Sequence, residues 1–216
     1  MHLRRLVALL LLFAACKRNA PAVEVDGDDD DRGRKKSSAK STSDAEAKSK
    51  SKPSEGDVVH FQSSSGRFAI DYPPGSTTSP EQVQTVPSEA GPLTMHIFQV
   101  IAKDEWFGVM YSDYPKSVVA SKGAARTLLD VQGGVLAGIP AKLEKDSSGV
   151  RNALPYRSFT FDALPSATNP ATGYGKFVVM LLGDRLYQVA YIGPDRATFG
   201  AQKVKDFFAS FTITPP

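Results

Sequence analysis

The stretch Lys176-Phe177-Val178-Val179-Met180-Leu181-Leu182-Gly183-Asp184-Arg185-Leu186-Tyr187-Gln188-Val189-Ala190-Tyr191 decides the fold. From Phe177 to Leu182 the residues are apolar at both parities, which predicts a central strand, Lys176 to Leu182, covered on both faces. Gly183-Asp184 is a two-residue turn signal, so Arg185 to Tyr191 is expected to return antiparallel as a hairpin. Working outward, period-two alternation continues. Phe68, Ile70 and Tyr72 alternate with Ala69 and Asp71 before Pro73-Pro74-Gly75 ends the run. Leu93, Met95 and Ile97 alternate with Thr94 and His96, and then Phe98 and Val100 take the other parity. That shift predicts either a bulge or a strand covered on both faces. Lys103-Asp104-Glu105 reads as a turn into the strand Trp106 to Ser112. Arg157 to Asp162 alternates through Phe159 and Phe161, Pro165 to Gly173 reads as a loop, and Gly173-Tyr174-Gly175 reads as turn chemistry.

Two segments carry helical spacing. Pro115, Val118, Ala125, Leu128 and Leu129 predict one helix ending at Gly133-Gly134. Val204, Phe207, Phe208 and Phe211 sit at i, i+3, i+4 and i+7, predicting a helix after Gly193-Pro194-Asp195 with its aromatic stripe in the core. Phe211 to Thr214 is expected to form a short closing strand. The expected class is therefore α+β: an antiparallel sheet of about six strands with helices on both faces. Residues 58–216 form this single domain. They hold fourteen Lys/Arg and thirteen Asp/Glu, so the fold itself has no polyelectrolyte character.

Ahead of the domain the composition changes. Residues 17–57 carry the acidic run Asp28 to Asp31 and then a Lys/Arg/Ser/Ala-rich tract, without aromatics. Such a segment cannot bury enough apolar area to offset its ordering entropy, so a disordered linker is expected. About forty flexible residues reach roughly 35 Å. The tract lacks the aromatics that stack on bases, which argues against nucleic acid as a partner. The Ser37/Lys40 and Ser49/Lys52 spacings match S-x-x-K, but no S-D-N or K-T-G element follows, and they read as chance matches in a Ser/Lys tract.

At the start of the chain, Arg4 and Arg5 precede the apolar run Leu6 to Leu12, too short to span a bilayer, and Phe13-Ala14-Ala15 leads into Cys16, the chain's one cysteine. This is the organisation of a secretory signal. With a cysteine at the cut site, it resembles the lipobox of bacterial lipoproteins. The resemblance implies a signal peptide over residues 1–15, cleavage after Ala15, and a lipidated Cys16 at the head of a 16–57 linker. It implies membrane anchoring at the cell envelope, facing the periplasm or the cell surface. Lys17 in place of aspartate after the cysteine points to the outer membrane. Several acyl chains anchor stably where a single one anchors marginally.

Three motifs carry a second resemblance: Gly66-Arg67-Phe68-Ala69-Ile70-Asp71-Tyr72-Pro73, Val109-Met110-Tyr111-Ser112-Asp113-Tyr114-Pro115, and Gly183-Asp184-Arg185-Leu186-Tyr187-Gln188-Val189. With Phe207 to Ile213 closing the order, the chain from 61 to 214 resembles envelope proteins with a PsbP-like or Mog1-like α/β/α sandwich. The resemblance implies a non-catalytic accessory or protein-binding module with an envelope protein as partner. It carries over no site residues.

The residues themselves give chemistry little purchase. His60 and His96 lack the further Cys and His ligands of a metal site, and no cofactor is expected. No nucleophile elbow, P-loop, zinc-helix motif or dinucleotide fingerprint occurs. Asp104 and Glu105 are expected exposed and unpaired at a hairpin tip, Asp113 as a helix cap, and Asp184 as a turn residue. The candidate binding surface is aromatic: Trp106, Tyr111 and Tyr114, with Trp106 expected exposed after its charged turn. Two other classes remain as alternatives, a carrier or sensor of a small apolar ligand and a cryptic hydrolase. An apolar cavity of several hundred Å³ would favour the first, and a cluster of Asp, His and Tyr the second.

Overall fold

The structure, a computed structural model, describes residues 57–214 apart from positions 75, 79, 89 and 166–171. The expectations for residues 1–15 and 16–56, Ala15 and Cys16 included, lie outside the described residues, as does most of the loop expected over 165–173. In chain order the elements are β1 (Val59–Ser63), β2 (Phe68–Tyr72), β3 (Thr77–Thr78), β4 (Gln82–Ser88), β5 (Gly91–Ala102), β6 (Glu105–Asp113), α1 (Lys116–Lys122), α2 (Ala124–Gly138), β7 (Ala141–Arg151), β8 (Leu154–Ala163), β9 (Gly173–Leu182), β10 (Arg185–Gly193), α3 (Arg196–Phe199), α4 (Gln202–Ser210) and β11 (Thr212–Ile213).

The class is the expected α+β, with a larger sheet than the sequence predicts. Eight strands form an antiparallel sheet in the order β3-β5-β6-β10-β9-β8-β7, with β4 also pairing β5, and β1-β2-β11 form a separate three-stranded sheet. The Gly183-Asp184 turn places β9 and β10 in register from Leu182↔Arg185 to Tyr174↔Gly193, and β10 continues onto β6. The parity shift in β5 is a strand covered on both faces, since Ile97 and Phe98 are both buried and pairing with β4 and β6 runs without interruption. The bulge lies elsewhere, between Leu143 and Lys145 of β7.

Each face of the large sheet has its own core. On one face, Phe159, Phe161, Phe177, Val179, Leu186 and Trp106 pack under α1 through Val119 and under α2 through Leu128, Val131, Val135 and Leu136. On the other, Phe98, Phe107, Val109, Tyr187 and Tyr191 pack against Phe68, Ile70 and Tyr72 of the small sheet and Val204 and Phe207 of α4. Burying a large apolar side chain contributes roughly 1.5–3 kcal/mol, so these two layers dominate stability.

Several expectations are corrected. The single helix from Pro115 is two helices, because Gly123 takes φ +77° at the junction, a conformation that L side chains rarely adopt. The second helix runs through Gly133 and Gly134 to Gly138, held by Val135 and Leu136 on the core beyond the pair. The C-terminal helix likewise divides into α3 and α4, and Phe211 stands just past the end of α4. Gly173-Tyr174-Gly175 lies within β9, where Gly175 pairs with Phe161. Finally, β9 is fully covered on one face only: Phe177, Val179 and Leu181 are buried, while Lys176, Val178, Met180 and Leu182 are half-buried. On that face Met180 and Leu182 still pack against the second core, so the cover is partial.

Candidate functional site

The expected aromatic surface does not form. Trp106 is 1% exposed, not solvent-facing, and its indole Nε1 donates to Gln99 Oε1 at 2.7 Å inside the core. The turn before it is charged, but β6 is central to the sheet and both of its faces are covered. Tyr111 is 3% exposed, and Tyr114 is half-buried against the α1/α2 side, so the three residues share no open face.

Tyr111 instead anchors a stack across three strands. The His96 ring lies parallel to it at 4.4 Å, and the Arg185 guanidinium sits 4.6 Å from its centroid. Burial raises the pKa of the Tyr111 phenol. His96 Nδ1 bonds Glu81 at 2.6 Å, and Arg185 grips both oxygens of Asp113 at 2.6 and 2.7 Å and donates to the Ser65 carbonyl at 2.8 Å. Asp113 therefore does not cap α1; Arg185 takes it and holds its carboxyl below the usual range. Glu105 is likewise neither exposed nor unpaired. It is 3% exposed and accepts from the Tyr191 hydroxyl at 2.9 Å and from Lys203. His60 bonds Asp71 at 2.5 Å on the surface of β1 and β2, and Asp184 supplies a turn carbonyl to the Tyr114 N–H at 2.8 Å. These groups are consumed in pairing, and no nucleophile sits beside a free base among them. Among the described residues, no three His, Cys, Asp or Glu side chains converge as metal ligands, and no helix is long and apolar enough to cross a membrane.

The feature with spare capacity is where cover on β9 runs out. There an open groove of about 320 Å³ lies between Lys176 of β9, the end of α3, one face of α4, and Arg151 at the tip of the β7–β8 hairpin. Val204, Lys205 and Phe208 face it at helical spacing i, i+1 and i+4, and Phe199 completes the apolar wall. The tip is a two-residue turn in which Asn152 and Ala153 take φ +52° and +62°, turning the chain sharply next to Arg151. Lys176 Nζ lies 4.6 Å from the Phe208 centroid. Burial, and then the charge of Arg151, lower the Lys176 pKa, because both disfavour the ammonium. The groove offers positive charge, hydrogen-bond donors and an apolar wall, which suits holding an anion more than transforming one. Sequence reasoning missed it because Arg151, Lys176 and Lys205 are far apart in the chain. The one available signal was Lys176 itself, a lysine opening an otherwise apolar strand.

An antiparallel sheet with helices on one face and a helix plus a small sheet on the other defines an α/β/α sandwich. Among solved structures, the cyanobacterial PsbP (CyanoP) of Synechocystis sp. PCC 6803 matches with a TM-score of 0.51 at 13% identity, over 77% of this chain and 98% of that one. The fold is PsbP-like, as the motifs led us to expect. No family model matches the sequence, and no curated protein does.

Proposed function

We propose that the protein is a lipid-anchored envelope module that works by binding and not by catalysis. The observation that carries this is the groove beside β9, where three cations and two phenylalanines share one concave surface, while Asp113 and Glu105 elsewhere in the domain are tied up in ion pairs. The PsbP-like fold supports an accessory role beside another envelope protein. The address rests on the sequence: cleavage after Ala15, lipidation of Cys16, and a tether over 16–57 that holds the domain off the outer membrane.

The test is growth with an alkyne analogue of palmitate, followed by fractionation and crosslinking in intact cells. The wild type should carry the label, sediment with membranes and crosslink reproducibly to an envelope protein. Cys16→Ser should lose the label and its membrane association. A mature chain that keeps Met1, or an unlabelled chain in the aqueous extract, would overturn the anchoring.

A further inference from the structure

Several basic side chains of the domain's surface face a carboxylate. Arg157 meets Asp146, Arg185 meets Asp113, Arg196 meets Glu144 and Asp162, and Lys203 meets Glu105. Arg151, Lys176 and Lys205 are set apart by being gathered together. Among the described residues none of the three has a carboxylate partner, yet all three line one groove. Clustering like charges is unfavourable, and partial burial of Lys176 adds to the cost. The nearest acid on the same helix, Asp206, already accepts from Gln202 at 2.7 Å. Among the described residues no carboxylate neutralises the cluster, so the complement it lacks is an anion from outside.

The remaining walls say what kind. Phe199, Val204 and Phe208 are apolar, and half-buried Val178 is the next residue of β9 on the same face as Lys176. At about 320 Å³ the groove has the size of a small-molecule site. We propose that it binds a single anionic amphiphile, a carboxylate or phosphate monoester carrying an alkyl or aryl tail. Arg151 offers a planar fork matched to two oxygens of such a head, Lys176 and Lys205 supply point charges, and the tail covers Phe199 and Phe208. This rests on reading the groove as the module's binding surface and is independent of whether Cys16 is acylated.

The experiment is calorimetric titration of the full chain with laurate and with dodecyl phosphate below their micellar concentrations. Controls are inorganic phosphate, dodecyltrimethylammonium, and sedimentation with phosphatidylglycerol vesicles. Both anionic amphiphiles should bind one per chain, more weakly as salt rises, and either Arg151→Gln or Lys176→Met should weaken binding about tenfold or more. Lys103→Met, in the exposed turn between β5 and β6, should change nothing. Arg151 is at an exposed hairpin tip, so its variant keeps the fold even if the Lys176 one does not. The proposal is overturned if neither anion binds, if the cationic amphiphile binds as well, if inorganic phosphate binds as tightly as its dodecyl ester, if both groove variants leave binding unchanged, or if the chain sediments with vesicles while ignoring monomeric ligand. A wild-type chain that takes no palmitate label yet binds laurate would refute the anchor and leave the groove standing.

Discussion

Replacing Gly108 with alanine tests whether Trp106 belongs to the core. The indole folds back over Gly108 two residues along β6, so a Cβ built there would stand 2.4 Å from both Cη2 and Cζ2 of the ring. Reaching ordinary contact, at 3.4 Å and beyond, requires the ring to move by 3.4 − 2.4 = 1.0 Å or more. It has little freedom, being 1% exposed and tied through Nε1 to Gln99, itself 6% exposed. Overpacking costs about 1–3 kcal/mol, and stranding the Trp106–Gln99 pair about 1–3 kcal/mol more. The reduced freedom of the unfolded chain returns about 0.4–1 kcal/mol. The expected net loss is between about 1 and about 5 kcal/mol. Guanidinium unfolding followed by far-UV circular dichroism measures it, and the chain's single tryptophan reports in parallel, because a displaced indole shifts its emission. In a Trp106→Leu background the same substitution should cost less than about 1 kcal/mol, since the obstacle is gone. A Gly108→Ala protein within about 0.5 kcal/mol of wild type, with unshifted emission, would refute the packing of Trp106 over β6.

Two further outcomes follow from the fold. Gly133 and Gly134 are exposed in the interior of α2, and an added Cβ at either meets nothing within 4 Å, so each alanine substitution should raise stability by about 0.5–1 kcal/mol in the same unfolding assay. Asp113 ionises more readily in the folded protein than in the unfolded chain because Arg185 holds it. Its contribution is therefore complete above the ordinary value of 3.8 and fades as pH falls through the lower folded-state value. Its side chain is 55% exposed, so Asp113→Asn should cost less than about 1 kcal/mol at pH 7, and the difference from wild type should vanish in urea titrations well below pH 3.8.

Local signals carried much of the fold. The β9–β10 hairpin was legible because a two-residue turn and apolar strands agree on one register. The core stripe of α4 was legible because Val204 and Phe207 repeat at helical spacing. The strand β7 was not, since Lys142 to Val150 is polar at nearly every position. It is a strand because the edge of β8 offers it backbone partners. Likewise, Gly133-Gly134 looks like a helix stop, and only the packing of Val135 and Leu136 carries α2 past it. The candidate site was the least legible part. Trp106 stands beside a charged turn but is enclosed by neighbouring strands, and the groove forms from side chains that meet only once a hairpin tip and a C-terminal helix close on the same sheet.

The strand β2 separates the domain's first strand from its last. β1 is bound to it through five residue pairs and β11 through two, and the two outer strands run in the same direction. Tension drawing Val59 and Ile213 apart would slide both past β2 along their length, straining their ladder bonds in shear, with the eight-stranded sheet outside the path of the force. The shorter junction yields first, so under mechanical load the carboxyl end acts as the fuse.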